Sequence, residues 1–210
     1  MSDLKNVNHT RGIGTLTSCI TQEVASHSPN SIFFNSDFAD KGDADVIRHI
    51  LGKLCQQGIL VRIAPGIFVN PQISKFGMVP VTLEAIAYAV AKRDHVEILP
   101  TGETALNILG LSTQVPMRAA YLTTGSPRSL KIGNRSIKFI RGVPRNFACN
   151  GHLMPLIIQA LKSMGRDNVT EATISQISKI ISESVDPHLL EDMLLAPQWI
   201  QKLIKPMLKQ

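Results

Sequence analysis

Nine basic residues and no acid lie between Glu103 and Asp167: Arg118, Arg128, Lys131, Arg135, Lys138, Arg141, Arg145, Lys162 and Arg166. Cations gathered without counter-charges suit a phosphate-bearing partner, because each phosphate they neutralise releases condensed counterions. A second set, Lys41, Arg48, His49, Lys53 and Arg62, stands in the N-terminal third. A planar guanidinium such as that of Arg48 matches the O6 and N7 acceptors of guanine, and an ammonium such as that of Lys53 matches a phosphate oxygen. Asp40, Asp43 and Asp45 crowd the same stretch. They suit a helix N-terminus but repel phosphate, so this second set alone grips DNA weakly.

Catalytic patterns are missing. Gly125-Ser126 resembles the opening of a nucleotidyltransferase site, which needs paired carboxylates soon after it to hold a metal; the next acid is Asp167. The chain has no Gly-x-x-x-x-Gly-Lys phosphate loop, no Gly-x-Ser-x-Gly elbow and no His-Glu-x-x-His zinc motif. The six histidines are isolated from one another, and Cys19, Cys55 and Cys149 form no ligand pair. Cys19 and Cys55 fall on apolar helical stripes and read as small core residues. The expectation is therefore a protein that is not an enzyme, with no catalytic residue, metal or cofactor. Aromatic residues make up 5% of the chain, too few for a surface that stacks single-stranded bases.

The elements that position the cations follow from periodicity. Leu16, Ile20 and Val24 recur every four residues and predict a helix from Thr15 that stops at Ser28-Pro29-Asn30. Residues 31–34 are β-prone, residues 35–40 predict one helical turn, and Lys41-Gly42 is a turn. Val46, Ile47, Ile50, Leu51, Leu54 and Cys55 form the apolar stripe of a helix over residues 43–57. This stripe leaves Arg48, His49, Gly52, Lys53 and Gln56 on the opposite face. Two β-rich runs around Pro65-Gly66 predict a hairpin. Helix, strand, short helix, turn, helix and hairpin, in that order, are the elements of a winged helix-turn-helix, whose second helix enters the major groove.

Residues 71–80, with Pro71, Gly77 and Pro80, read as a linker. Beyond it the pattern predicts a helix over 82–92, a strand over 96–99, a helix over 101–109 and a strand over 118–123. A second hairpin turns at Gly133-Asn134. Alternation then places Leu130, Ile132, Ile137 and Phe139 on one face, with Ser129, Lys131, Ser136 and Lys138 on the other. Helices are predicted over 152–164, 170–184 and 197–208, and another after Asp186-Pro187.

The fold class is thus α+β: an N-terminal winged helix-turn-helix, then a mixed α/β domain ending in a helical tail. Residues 1–14 are expected to form a flexible arm, 15–72 the DNA-binding domain, and 80–210 a C-terminal domain with a basic α/β part (80–148) and a helical part (151–210). The net charge of +6 and 44% hydrophobic content suit a globular, polyanion-binding protein. The odd cysteine count and short apolar runs predict a cytoplasmic protein without a membrane span.

The segment Leu111-Ser112-Thr113-Gln114-Val115-Pro116, followed by Ala120-Tyr121-Leu122-Thr123 and Gly125, resembles the AbiEi-like antitoxins of type IV toxin–antitoxin systems. Ser36-Asp37-Phe38, the helix to Leu54 and the wing over residues 62–68 look like that family's N-terminal module. Residues 128–147 look like its basic hairpin, and Ala196-Pro197-Gln198-Trp199 like the start of its C-terminal helix. The resemblance implies an antitoxin that represses its own operon by binding double-stranded operator DNA and counters a nucleotidyltransferase-type toxin, without need of a stable complex. It implies no catalytic residues. It also implies DNA contacts from a basic face of the C-terminal domain. The DNA-binding residues expected are Lys41, Arg48, His49, Lys53, Arg62, Arg128, Lys131, Arg135, Lys138, Arg141 and Arg145. The alternative is an interaction protein whose winged helix is a scaffold and whose C-terminal domain binds the toxin directly.

Overall fold

The computed structural model describes the backbone of residues 3–114 and 116–209 and the side chains of residues 14–114 and 116–208. The architecture is mixed α+β, and the chain divides into two compact units, residues 1–82 and 83–210.

The first unit runs α1 (Asp3–Ser26), β1 (Ile32–Phe34), a 3-10 turn (Asn35–Phe38), α2 (Ala44–Gln56), β2 (Val61–Ala64), β3 (Ile67–Val69), β4 (Gln72–Ser74) and β5 (Gly77–Val79). Strands β1, β3 and β2 form an antiparallel sheet in that spatial order. Ile20 and Val24 of α1 and Ile47, Ile50, Leu51 and Leu54 of α2 meet Phe33, Phe38, Leu60 and Phe68 in one core. Burial of these side chains, each worth about 1.5–3 kcal/mol, is what seats two helices on so small a sheet.

Three expectations change here. Helix α1 begins at Asp3 rather than Thr15, so residues 3–14, expected as a loose arm, continue the helix. Helical hydrogen bonds are internal to the segment, so a polar stretch without an apolar stripe can still hold a helical backbone. Cys19 is exposed, because it flanks the Leu16–Ile20–Val24 stripe instead of lying on it. Residues 71–80, read as a linker, carry the β4–β5 hairpin, with Gln72 opposite Val79 and Ile73 opposite Met78.

The second unit opens with α3 (Leu83–Arg93), β6 (Ile98–Thr101), α4 (Glu103–Ile108) and β7 (Arg118–Thr123). It continues with β8 (Arg128–Ile132), β9 (Arg135–Arg141), α5 (Leu153–Met164), α6 (Glu171–Glu183), α7 (Leu189–Met193) and α8 (Gln198–Ile204). The sheet order is β6-β7-β9-β8: β9 lies parallel to β7 and antiparallel to β8. Helix α3 packs on one face, where Tyr88 meets Tyr121 edge-on and Tyr121 meets Phe139. Helix α5 packs on the other face at the β6 end, where Thr101 Oγ1 donates to Gln159 Oε1 (3.1 Å). The helical tail has its own core of Met154, Ile157, Leu161, Ile177, Met193 and Ile200.

Two carboxylates converge on the start of α5. Asp192, buried, accepts from the amides of Asn150 (2.9 Å) and Gly151 (2.7 Å). Asp186 accepts from the amides of His152 (3.1 Å), Leu153 (3.2 Å) and His188 (2.9 Å). The sequence assigns Asp186 to the helix that follows it; the structure also turns it back onto α5, and α7 starts only at Leu189. A Cβ at position 151 would press on the Asp186 carboxylate and displace it from these amides. Desolvation raises the Asp186 pKa, but the amides of His188, Leu153 and His152 outweigh it and hold the carboxyl below its ordinary value. A carboxylate so depressed contributes stability above its unfolded pKa and loses it as pH falls through the folded one. Asp186→Ala is expected to cost about 1–2 kcal/mol at neutral pH. The deficit should begin to shrink below about pH 4, where the carboxyl of the unfolded chain takes up its proton first, and should keep shrinking as pH falls through the lower folded value. Urea unfolding of both chains at about pH 7 and about pH 3 checks this; a deficit equal at the two values refutes the capping role.

Candidate nucleic-acid interface

The pleat decides which cations of the second unit can face a partner. Leu130 pairs with Ile137, Lys131 with Ser136 and Ser129 with Lys138, around the two-residue turn Gly133-Asn134. This is the register expected from the sequence. Gly133 has φ +58°, the left-handed value that the first position of a II′ turn requires. Ile137 and Phe139 are buried beneath α3, so Lys131 and Lys138 project from the opposite face and are exposed.

The parallel β7–β9 pairing adds a third cation. Arg118 lies opposite Ser136, which lies opposite Lys131, so one row across three strands reads Arg118, Ser136, Lys131. The next row reads Ala120, Lys138, Ser129. At about 4.8 Å per strand step, Arg118 and Lys131 stand about 10 Å apart with Lys138 diagonal to both. Helix α5 packs at the β6 end of this face and α4 reaches β7, where the Ala120 amide donates to Thr104 Oγ1 (2.8 Å), while Arg118, Lys131 and Lys138 stay exposed. Among the described residues, no carboxylate lies within ion-pair distance of Arg118, Lys131 or Lys138. Like charges grouped this way cost stability until an anion compensates them. The hydroxyls of Ser136, between Arg118 and Lys131, and of Ser129, beside Lys138, can donate to the same phosphate oxygens. Sequence reasoning missed Arg118 because its place depends on a parallel pairing with β9, from which β8 separates it in sequence.

The other expected cations sit differently. Arg128 shares the parity of Leu130 and Ile132, turns to the α3 face, pairs with Asp94 and covers the Phe139 ring at 5.4 Å. It is a tie between α3 and the sheet, not part of the open face. Burial works against ionised Asp94, but hydrogen bonds and charge from Arg93 and Arg128 prevail and hold its carboxyl below the ordinary value. Arg135 and Arg141 share the parity of the buried Ile137 and Phe139; Arg135 is half-buried and Arg141 is exposed at the strand end. Arg145 donates to the Leu195 carbonyl (3.1 Å), which links the loop after β9 to the helical tail.

In the first unit, α2 buries Ile47, Ile50, Leu51 and Leu54 and turns Asp45, Arg48, His49, Gly52, Lys53 and Gln56 outward. Arg48 pairs with Asp45 one turn earlier, both largely exposed at 62% and 86%. A pair so exposed is worth under about 1 kcal/mol and yields readily to a better acceptor. Lys41 is occupied otherwise: its Nζ lies 3.0 Å from Glu23 of α1 and 3.8 Å from Asp40, and its pKa is raised, chiefly by the Glu23 hydrogen bond. It fastens α1 to the turn before α2. Arg62 is exposed on β2, opposite Phe68 and beside a register shift in the ladder. Among the described residues, no cluster of three or more His, Cys, Asp or Glu is placed to hold a metal ion. No described helix is long and apolar enough to cross a membrane.

These placements separate structural from partner-facing cations. Arg128→Ala should cost about 1–2 kcal/mol, because it leaves a half-buried carboxylate one partner short and uncovers Phe139. Lys138→Ala should stay within about 0.5 kcal/mol of the native chain or stabilise it slightly. Urea midpoints check the contrast, and equal midpoints for the two variants would remove the distinction.

No curated protein matches the chain. A family model does match, over residues 19–189, which takes in both units from the middle of α1 to the start of α7. The chain belongs to the family of unknown function DUF6088.

Proposed function

We propose that the protein is an antitoxin-type transcriptional autoregulator, not an enzyme, which binds double-stranded operator DNA and counters a nucleotidyltransferase-type toxin. One observation carries the DNA-binding part. The order α1, β1, short helix, α2, β2, β3, with spatial strand order β1-β3-β2, leaves α2 with one face in the core and the other open. That arrangement supports reading residues 15–72 as a winged helix-turn-helix with α2 as its recognition helix. Arg48, His49 and Lys53 are then the residues that meet the major groove, and Arg62 on β2 meets the backbone beside it.

The open face of β7, β9 and β8 supplies the phosphate grip. Residues 1–80 hold seven Lys and Arg against six Asp and Glu, whereas residues 81–150 hold nine against four. The near-neutral first unit thus reads sequence and the basic second unit holds the backbone. The antitoxin part rests on the resemblance of residues 111–125 to AbiEi-like proteins and is checked by co-expression with a nucleotidyltransferase encoded beside the gene; growth inhibition that persists rejects it.

Gel shifts with the DNA upstream of the protein's own gene test the operator claim, and equal affinity for a random duplex would sink it. Lys131→Ala combined with Lys138→Ala should weaken binding to all duplexes alike. It should also flatten the log K against log [salt] slope by about two, near 0.9 for each phosphate no longer neutralised. A slope that stays put excludes the sheet face from DNA.

A further inference from the structure

The β4–β5 hairpin has no place in that reading, yet it carries exposed apolar side chains that a water-facing connector does not need. Phe76 is 88% exposed, Ile73 70% and Met78 50%. Ile73 and Met78 face each other across the ladder and so share one face; Lys75 and Phe76 form the two-residue tip. The tip is held in shape. Ser74 Oγ donates to the Gly77 carbonyl (2.9 Å) and accepts from the Phe76 amide (3.2 Å). The base is held too: Asn30 Nδ2 donates to Gln72 Oε1 (3.1 Å), and the Gln72 amide donates to Asn30 Oδ1 (3.3 Å). A fixed loop therefore presents a phenylalanine to solvent, with the Lys75 ammonium 5.0 Å from its ring centroid.

Charge selects the partner. No acid occurs between Asp45 and Glu84, while Arg48, Lys53, Arg62 and Lys75 all lie in that interval. We propose that the hairpin is an apolar wedge for DNA: Phe76, supported by Met78 and Ile73, enters the minor groove and partly unstacks a base step, and Lys75 meets the adjacent phosphate. Phenylalanine, methionine and isoleucine are side chains that serve as such wedges, and the bent duplex offsets the cost of the opened step with added contacts. A second copy of the chain fits less well. Three side chains offer a few hundred Å², short of the roughly 800 Å² per partner of a stable interface, and pairing would add a second Lys75 with no acid on either hairpin. The proposal rests on the DNA-binding reading and adds bending to it.

The test is ligase-catalysed circularisation of a duplex of about 100 bp, shorter than the ~150 bp persistence length, carrying the DNA upstream of the gene. The native full-length protein should speed circularisation about tenfold. Phe76→Ser with Met78→Ser should bring the rate to within about twofold of bare DNA, while fluorescence anisotropy keeps the native salt slope. Both positions are solvent-facing, so an unchanged circular-dichroism melt is expected to show that the variant folds. Equal circularisation by variant and native chains overturns the wedge. So does a native chain that binds without bending, which leaves the DNA-binding reading standing. A native dimer in sedimentation that the double variant dissolves assigns the hairpin to a second copy instead. No binding by the native chain fells both readings together.

Discussion

Burial of Ile137 and Phe139 beneath α3 is the constraint on which the second unit turns. A strand has a side-chain period of two, so fixing those residues inward fixes Lys138 outward, and the ladder carries the choice to Lys131 on β8 and to Arg118 on β7. A slip of β9 by one residue would put Lys138 into the core and Ile137 and Phe139 into water. The register is therefore held by several side chains at once. The basic face is not assembled by attraction among its members, which repel one another. It is imposed from the far side of the sheet.

The Asp94–Arg128 pair belongs to the same constraint. Arg128 stands at the start of β8 on the inward face, where an unpaired guanidinium would lose hydration against Phe139. Asp94, at the end of α3, meets it. The pair thus closes the edge of the covered face at the strand that lies farthest from β6. Helices on opposite faces, α3 over one and α5 with α4 toward the β6 and β7 side of the other, leave one corner of the sheet exposed. That corner is where Lys131, Lys138 and Arg118 lie.

Much of this is legible in the residues alone. The apolar stripes of α2, α5 and α6 set those helices, and the Gly133-Asn134 turn sets the β8–β9 register. The same alternation that places Lys131 outward also places Arg128 inward with Leu130, so alternation alone was enough to remove Arg128 from a DNA-facing set. Other features were not legible. Arg118 depends on a parallel pairing across an intervening strand, and Asp186 depends on contacts with residues more than thirty positions earlier. The β4–β5 hairpin was hidden by Pro71 and Pro80, which read as linker punctuation although they only bracket the two strands. Ile73, Met78 and Val79 around the two-residue tip Lys75-Phe76 were the available signal.

The acids at the start of α2 now have a physical account on the proposed reading. Asp43 and Asp45 suit the positive end of the helix dipole, and Asp45 holds Arg48 through an exposed ion pair. Against random duplex DNA, Asp45 repels phosphate and Arg48 gains little by leaving it. Against a guanine presented at the right register, a bidentate contact worth about 1–3 kcal/mol of discrimination exceeds the pair's value of under about 1 kcal/mol. The acid therefore lowers affinity at every site by up to the value of the pair, and a contact as strong as a bidentate guanine pair still leaves a net gain. Affinity lost in the first unit must come from elsewhere in the chain, and the acid-free face of the second unit supplies charge without sequence preference. On this view the near-neutrality of residues 1–80 and the excess positive charge of residues 81–150 are two halves of one electrostatic arrangement.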